Sequence, residues 1–314
     1  MNFKKHSSTF WIISAFLVLL TLVSMFPPQV EILRKGSEYA VQIMIFLLVV
    51  GMMFLALRQK ELMFVSLACC GLMCLFLKNA SNTNLIFPKP NNSPTLSIMH
   101  INLASIEGTS KDVMETVEKY NPDVISFQEV TPDWDFNLYK NLTKSYRYKY
   151  SMVRIDPYGK AIYSKFQFRD IDTLTFEKNP DIKINIQFKD EKIGIITTYL
   201  DPPLNTKSRI KSNNHLEYLA DKIQEFNGLM IALGDFHHVY WSGTIRNFRE
   251  ATGLLNSRRN SNFTRFTLPY DHIFYSPQLE CINFKEIEDK DFNHIGILGE
   301  YQVNSSKILA AESK

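Results

Sequence analysis

The apolar residues of the chain are concentrated near its N-terminus. Three uncharged apolar runs follow one another there: Phe10–Phe26, Tyr39–Leu57 and Leu62–Leu77. A helix needs about 20 apolar residues to span a membrane, with a range of about 17–25, and the third run is the shortest of the three. The pattern therefore predicts a membrane segment over residues 1–78 with three transmembrane helices.

Two other interpretations of these runs stay open at this stage. Lys4 and Lys5 before the first run also fit a cleavable signal peptide, although further apolar runs follow at once. The second and third runs could be buried core helices, but neither has a polar face. We favour a multi-pass protein of the inner or plasma membrane.

The charges around the runs indicate an orientation only weakly. Four basic residues favour a cytoplasmic N-terminus and second loop, which would place the soluble domain on the non-cytoplasmic side: Lys4, Lys5, Arg58 and Lys60. Arg34 and Lys35 in the first loop, and Lys78 after the third run, favour the opposite orientation. The balance leans slightly toward a non-cytoplasmic domain.

After an Asn-, Ser- and Pro-rich linker at 79–94, the pattern changes to that of a soluble domain over residues 95–314. Short apolar runs predict strands at Leu96–Ile101, Asp123–Phe127, Lys192–Tyr199, Leu229–Leu233 and His272–Tyr275. Helical spacing is found in Lys111–Tyr120 and Leu216–Phe226. Strands and helices mixed in this order predict a layered α/β domain.

Charge and cysteine content narrow the function only slightly. Residues 1–84 hold seven of the 35 Lys and Arg and three of the 32 acids, which leaves 28 bases against 29 acids in the remainder. A soluble part that is nearly neutral is unlike a dedicated nucleic-acid binder, whose affinity depends on a basic excess. Cys281 stands alone in the soluble part, so the redox compartment cannot be inferred.

Polar residues lie at or beside the ends of several predicted strands. Asn102, Glu129, Tyr199, Asp235 and His237 stand where strands end, Asp271 opens a strand, and the pair Asn293-His294 comes near the end of the domain. Strand ends can meet at one edge of a sheet, where α/β folds usually build their sites. The segments Thr131–Tyr150 and Pro202–Asn214 are expected to flank this site as loops, and Asp201 before the second is expected only to shape its turn. The basic residues of these loops could contact phosphates or could be solvated surface charges: Arg147, Lys149, Lys207, Arg209 and Lys211.

These residue types suit phosphoester hydrolysis. A hard Mg²⁺ ion prefers one or two carboxylates plus water and neutralises phosphoryl oxygens, and Glu129 is the best single ligand. Asp235 is the candidate for aligning or deprotonating the attacking water. His294 with Asp271 forms a candidate imidazole–carboxylate pair. His237 beside His238 also suggests zinc, but no completing set of ligands is visible.

The order of the motifs resembles the endonuclease/exonuclease/phosphatase superfamily, the group of DNase I, AP endonucleases, sphingomyelinases and inositol-phosphate 5-phosphatases. The resemblance covers Leu96–Val303 and includes bacterial members with N-terminal membrane helices. It rests on six segments: Ile98-Met-His-Ile-Asn102, Pro122-Asp-Val-Ile-Ser-Phe-Gln-Glu129, Tyr199-Leu-Asp-Pro-Pro203, Leu233-Gly-Asp-Phe-His237, Tyr270-Asp-His-Ile-Phe274 and Asn293-His294. It implies a four-layer α/β sandwich with two central sheets.

The resemblance also implies a role for each matching residue. Asn102 would help to hold both phosphate and metal, and Glu129 would ligate Mg²⁺, which Mn²⁺ could replace. Asp235 would orient or deprotonate the water. Asp271 would hold the imidazole of His294, which would contact the scissile phosphate.

Three positions depart from the family pattern. Tyr199 stands where many members have His, and its phenol can still donate to a phosphate oxygen. His237 replaces the Asn of the Gly-Asp-x-Asn motif; it can bind substrate, but with a charge that depends on pH. Phe292 and Asn293 replace the Ser-Asp of the Ser-Asp-His motif, and the neutral Asn293 would be a weaker metal ligand.

Two functions therefore remain open from the sequence. The first is a membrane-anchored phosphoesterase whose substrate is a lipid headgroup, a soluble metabolite or nucleic acid. The second is a catalytically impaired relative that acts as a binding or scaffold module, which the changes at His237, Phe292 and Asn293 motivate. The sequence predicts the lipid bilayer and a phosphate-ester substrate as partners. No feature of it predicts a protein partner.

Overall fold

A computed structural model describes residues 8–28, 30–82, 84–91, 93–105, 110–259, 268–288 and 294–304. The chain divides into two compact units. In the described residues, the first unit contains the N-terminal helices and the segment Val239–Arg246. The second unit contains the soluble domain that follows the linker, and the two are treated separately below.

The first unit is helical. Its helices are α1 (Ser8–Met25), α2 (Glu31–Ser37), α3 (Ala40–Ala56) and α4 (Lys60–Ser81). By length and composition, α1 and α4 are each able to cross a membrane, and the pair α2 and α3, bent by 72°, would be a third span only if it crosses as one. The structure therefore supports two candidate membrane spans and does not confirm three transmembrane helices.

The lengths of α3 and α4 differ from the expectation. The sequence made the third run, Leu62–Leu77, the marginal one, yet α4, which contains it, is the longest of these helices with 22 residues, while α3 has 17. The difference arises at the ends, because α4 continues through Lys78 to Ser81 although the apolar run stops before them. Helix ends follow backbone hydrogen bonding and not hydropathy.

The second unit is built on two mixed β-sheets with six strands each. The first sheet has the strand order β11-β12-β1-β2-β4-β3. Its strands are β1 (Leu96–Asn102), β2 (Val124–Gln128), β3 (Tyr148–Met152), β4 (Lys160–Ser164), β11 (Leu279–Glu288) and β12 (His294–Val303). Only β1 and β2 are parallel neighbours in it.

The second sheet has the order β5-β6-β7-β8-β10-β9. Its strands are β5 (Phe168–Phe176), β6 (Asn179–Phe188), β7 (Glu191–Tyr199), β8 (Leu229–Asp235), β9 (Leu255–Asn256) and β10 (Asp271–Tyr275). Here β7 and β8 are the parallel pair. Each sheet thus has one parallel pair near its centre, and the site lies where these pairs end.

One apolar core contains buried residues of both sheets, among them Ile98, Val124, Ile184 and Ile231. A second core joins the other face of the first sheet to helices α5 (Ser110–Tyr120) and α6 (Pro132–Leu142), for example through Val113 and Leu138. Burying a branched apolar side chain contributes roughly 1.5–3 kcal/mol, so these two layers hold the sheets together.

Helix α7 (Thr206–Gln224) lies against the second sheet, where His215 bonds to Asp181 of β6. In helix α8 (Gly243–Thr252), Phe248 packs against Phe236 and Phe274 of the same unit. Helices therefore accompany both sheets, which agrees with the layered α/β sandwich that the resemblance implies.

The predicted strands and helices are all present within a few residues, except that α7 begins ten residues earlier than its apolar pattern. Asn205 caps it, and a reciprocal bond between Asn205 and Ser208 completes a capping box. The sequence treated Pro202–Asn214 as a loop, because no apolar period marks the first turns of α7. The cap, and not the apolar face, starts this helix.

Candidate active site

The polar residues at the strand ends meet at one edge of the two sheets. Asn102 pairs with Gln128 at the ends of β1 and β2, and Tyr199 pairs with Asp235 at the ends of β7 and β8. The strands β10 and β12 run the other way and begin at this edge, with Asp271 and His294 as their first residues. The topology therefore brings together the ends and starts of six strands.

Glu129 follows β2 directly and is held in an unusual backbone conformation. Its φ of 58° lies in the left-handed region, which costs a non-glycine residue about 1–3 kcal/mol. The Nδ2 of Asn102 donates to Oε1 of Glu129 over 3.3 Å, while Oδ1 of Asn102 accepts from the amide of Ala104. Burial raises the pKa of Glu129, although the Asn102 hydrogen bond opposes the shift.

Asp235 is the last residue of β8, so the Gly-Asp pair is not a turn. At Gly234, φ is +142°, and a Cβ there would collide with the carbonyl oxygen of Thr198 on β7. The amide of Asp235 donates to Oε1 of Gln128 over 3.4 Å, which ties the second sheet to the first. Burial, and then the charges of Asp271 and Glu129, raise the pKa of Asp235 well above its ordinary value.

Asp271 and His294 form the imidazole–carboxylate pair that the motifs predict. Nε2 of His294 lies 2.7 Å from Oδ2 of Asp271, and Nε2 of the buried His100 lies 3.9 Å from Oδ1. Burial would raise the pKa of Asp271, but the His294 hydrogen bond and the neighbouring imidazoles lower it to about 2. Burial would lower the pKa of His294, yet its bond to Asp271 raises it.

His237 lies beside Asp235, and its φ of 47° is also in the left-handed region. Its amide donates to Oδ1 of Asp235 over 2.9 Å, and its Nδ1 lies 3.2 Å from the same oxygen. Burial lowers the pKa of His237, so the ring is neutral near pH 7. The rings of Tyr199 and Tyr270 lie 5.0 and 5.9 Å away.

Tyr199 remains a hydrogen-bond donor in this setting. Burial, followed by the charges of Glu129 and Asp235, raises the pKa of its phenol. A protonated phenol is neutral, so it can donate a hydrogen bond to an anionic oxygen without charge repulsion. This agrees with the sequence argument that Tyr can stand in for His at this position.

Some residues near the site were given no role by the motifs, although Gln128 and Asp201 lie within motif segments. Gln128 joins the sheets, and Tyr158 donates to Oδ1 of Asp201 over 2.6 Å. Lys211 lies 2.6 Å from Oδ2 of Asp201, and the ring of Tyr158 lies 5.9 Å from that of Tyr199. The sequence assigned Asp201 only to the shape of its turn; the structure gives it two partners. The opposite charges of Asp201 and Lys211 were the one available clue.

Phe292 and Asn293 lie outside the described residues, so the structure does not place the third proposed metal ligand. Within the described ranges, no three His, Cys, Asp or Glu side chains are arranged to hold a metal ion alone. Mg²⁺ needs only one or two carboxylates, since water completes its shell. Glu129 beside Asn102 fits that requirement. A bound cation would also offset the negative charges of Asp271 and Glu129, which raise the pKa of Asp235.

Comparison with known proteins supports the same architecture. The family model described as Endonuclease/Exonuclease/phosphatase family matches residues 99–293. No curated protein matches the chain.

The solved structures that resemble this chain come from several organisms. TDP2 of D. rerio, complexed with a single-strand DNA product, is 16% identical, with 67% of this chain and 99% of that chain covered and a TM-score of 0.55. The human Nocturnin catalytic domain with bound sulfate is 17% identical (67% and 94% covered, TM-score 0.56). An endonuclease/exonuclease/phosphatase from Beutenbergia cavernae is 13% identical (67% and 72% covered, TM-score 0.56). At these identities the likeness concerns the fold.

Proposed function

Because the chain belongs to the Endonuclease/Exonuclease/phosphatase family, we propose that it is a divalent-metal-dependent phosphoesterase anchored in a membrane by its N-terminal helices. The observation that carries the proposal is the meeting of Glu129, Asp235 and the Asp271–His294 pair at one edge of two sheets. These are the groups that water attack on a phosphoester requires, and they come from four different strands or strand ends.

Asp235 is the group proposed to handle the attacking water. A general base works best when its pKa lies near the working pH, and burial together with Asp271 raises the pKa of Asp235. The water oxygen forms a bond to phosphorus while Asp235 orients it and takes its proton. The bond from phosphorus to the alcohol oxygen breaks, and that oxygen leaves with a proton.

His294 is the group proposed to contact the phosphate and to supply that proton. Asp271 stabilises the imidazolium, which gives the site a positive charge next to the departing oxygen. Tyr199 and His237 are proposed as neutral donors to the remaining phosphate oxygens. Fixed donors of this kind typically contribute 10²–10³-fold in rate, or about 2.7–4 kcal/mol each.

Mg²⁺ or Mn²⁺ would be held by Glu129, Asn102 and Asn293, and when bound it would neutralise the charge that develops on the phosphoryl oxygens. The amide of Asn102 is proposed to serve both metal and phosphate. In the described region, Nδ2 of Asn102 already donates to Glu129. The same side chain would therefore position both the metal ligand Glu129 and the substrate.

For the substrate we propose a phosphodiester or phosphomonoester of a lipid headgroup or a small molecule. The soluble part has 28 basic against 29 acidic residues, which gives no excess charge for duplex DNA. Nucleic acid stays in the test because the D. rerio neighbour is described with a single-strand DNA product.

A second candidate function is a catalytically impaired relative that binds a phosphorylated ligand without hydrolysing it. His237 favours it, because a buried neutral imidazole replaces the family's Asn directly beside Asp235. The replacement of Ser-Asp by Phe292-Asn293 favours it as well. Retention of Glu129, Asp235, Asp271 and His294 favours the active enzyme.

The test is metal-stimulated hydrolysis by the full-length protein in detergent. Bis-p-nitrophenyl phosphate serves as the general substrate, beside single-stranded DNA, phospholipid vesicles, sphingomyelin and inositol phosphates. We expect turnover that needs Mg²⁺ or Mn²⁺ and that falls about 10²–10³-fold or more in Glu129→Gln and in Asp235→Asn.

Asp133→Asn is the matched control, since it removes an exposed carboxylate on α6 with no place in the site. It is expected to keep the wild-type rate. If the folded wild type shows no turnover with any metal or substrate, the active-enzyme proposal fails. Retained binding of an inositol phosphate would then favour the impaired relative.

A further inference from the structure

The exposed apolar side chains of the second unit are concentrated on two of its segments. From Ile86, where the second unit begins, eight large apolar side chains are exposed among the described residues. Four of them lie in residues 153–155 and 204–210: Val153 (39%), Ile155 (94%), Leu204 (67%) and Ile210 (52%). Single exposed apolar residues need no explanation, but a cluster is typical of an interaction site.

The two segments are tied to each other. Tyr158 follows the first segment and donates to Oδ1 of Asp201, which precedes the second, over 2.6 Å. Lys211 in the first turns of α7 holds the other carboxylate oxygen of Asp201 at 2.6 Å. The two segments that carry the four apolar side chains are therefore connected through Asp201.

The same pair of segments borders the candidate active site. The ring of Tyr158 lies 5.9 Å from the ring of Tyr199. The amide of Arg154 donates to the carbonyl oxygen of Val130 over 3.1 Å, and Val130 directly follows Glu129. A molecule bound to these segments would thus lie near the proposed metal ligand, Glu129, and near a proposed phosphate donor, Tyr199.

The second segment carries a basic excess in sequence, and of its bases Lys211 is already paired with Asp201 and Glu177. Residues 200–211 carry three basic side chains, Lys207, Arg209 and Lys211, against the single acid Asp201. Arg154 stands beside Ile155 and is paired with Asp156. Apolar tips next to basic side chains suit a partner with hydrocarbon chains and an anionic headgroup.

We propose that Val153, Ile155, Leu204 and Ile210 form an apolar rim that contacts the acyl chains of an anionic phospholipid at the mouth of the site. Its phosphoester headgroup would then lie toward Tyr199 and Glu129. The apolar helices α1 and α4 of the same chain favour a lipid over a protein partner. As a statement about substrate class the inference rests on the proposed function, while the lipid contact itself does not.

The test uses the full-length protein in lipid nanodiscs. A diazirine-bearing amino acid is placed in turn at Ile155, at Leu204 and, as the matched control, at Ile171, an apolar residue of β5 that is 40% exposed. The nanodiscs contain alkyne-tagged phosphatidylglycerol, and after illumination the lipid joined to the protein is measured with a fluorescent azide. We expect roughly fivefold or more labelling at 155 and 204 relative to 171.

Equal labelling at the three positions, or cross-links to a second protein copy in place of lipid, would overturn the rim. A second arm replaces the tagged lipid with tagged phosphatidylcholine. Labelling at 155 and 204 should fall there, because the zwitterionic headgroup offers less to Lys207 and Arg209. Labelling that is the same in both lipids would overturn the preference for an anionic partner.

The two proposals fail in different ways. Cross-linking does not require hydrolysis, so it is repeated with Asp235→Asn, and the same labelling as in the wild type is expected. Preferential labelling at 155 and 204 without turnover of any ester would support the apolar rim and contradict the phosphoesterase proposal. Turnover of bis-p-nitrophenyl phosphate without preferential labelling would support the phosphoesterase proposal and contradict the apolar rim.

Discussion

Two imidazole–carboxylate pairs of nearly the same length lie in the second unit. Nε2 of His294 is 2.7 Å from Asp271 at the site, and Nε2 of His215 is 2.6 Å from Asp181 between α7 and β6. The side chain of His294 is 26% exposed, whereas that of His215 is 2% exposed. A substrate can therefore reach the first pair and not the second.

The second pair belongs to a closed polar cluster. Lys160, which is fully buried, donates to Oδ1 of Asn179 at 3.0 Å and lies 3.5 Å from Asp181. Phe176 stacks on His215 at 4.8 Å. The amide of Asn179 in turn donates to the carbonyl oxygen of Tyr199. The Asp181–His215 pair thus belongs to a cluster that supports the end of β7 at Tyr199, whereas the Asp271–His294 pair faces the candidate site.

The largest effect is expected from His294→Gln. The amide of Gln can still donate to Asp271, so the carboxylate keeps a partner, but it cannot carry a proton or a positive charge. We expect phosphoesterase activity to fall about 10²–10⁴-fold with a melting temperature close to that of the wild type. Rates on bis-p-nitrophenyl phosphate and near-ultraviolet circular dichroism measure the two quantities.

The opposite result is expected from Asp181→Asn. It removes the one carboxylate of the closed cluster and leaves Lys160 buried without an anion, for which the usual cost is about 3–5 kcal/mol of the free energy of unfolding. The melting temperature should drop by roughly 6–20 °C, while the protein that remains folded keeps its activity. A variant that is stable but inactive would show that the closed pair acts in catalysis.

His237→Asn sharpens the comparison at a third imidazole, which lies 3.2 Å from Asp235. Asn visits the left-handed conformation of this position more readily than His and can donate to phosphate at any pH. We expect activity to rise by several-fold, up to about tenfold, and stability to rise by a few tenths of a kcal/mol. Steady-state kinetics from pH 5 to 8 checks this; unchanged or lower activity would mean that the imidazole itself is used.

The contrast between the pairs also marks what could be predicted from sequence. Asp271 and His294 belong to family motifs, so both were identified, and the structure brings them together. Asp181, His215 and Lys160 belong to no motif. They are separated by tens of residues and meet only because β4, β6 and α7 pack together. A pairing created by packing leaves no local pattern.

Motifs also failed where backbone caps and turns decide the structure. The first turns of α7 carry no apolar period, so Lys211 was expected on a loop and its partner Asp201 was assigned to a turn. The left-handed conformation of Glu129 is invisible in sequence as well. The residues of the candidate site could be named in advance, and the interactions that hold them in position could not.

The smallest effect is expected from Asp201→Asn, which tests a carboxylate paired without an imidazole. Burial would raise the pKa of Asp201, but the hydrogen bonds from Lys211 and Tyr158 lower it. A depressed pKa means that this carboxylate stabilises the fold above about pH 4, where it is also ionised in the unfolded chain, and that the contribution disappears as the pH falls through its lowered pKa. The variant should lose about 0.5–1.5 kcal/mol at pH 7 and progressively less as the pH falls through the lowered pKa of Asp201. Melting temperatures measured across this range should converge at the acid end, whereas a constant difference would assign the loss to packing and not to charge.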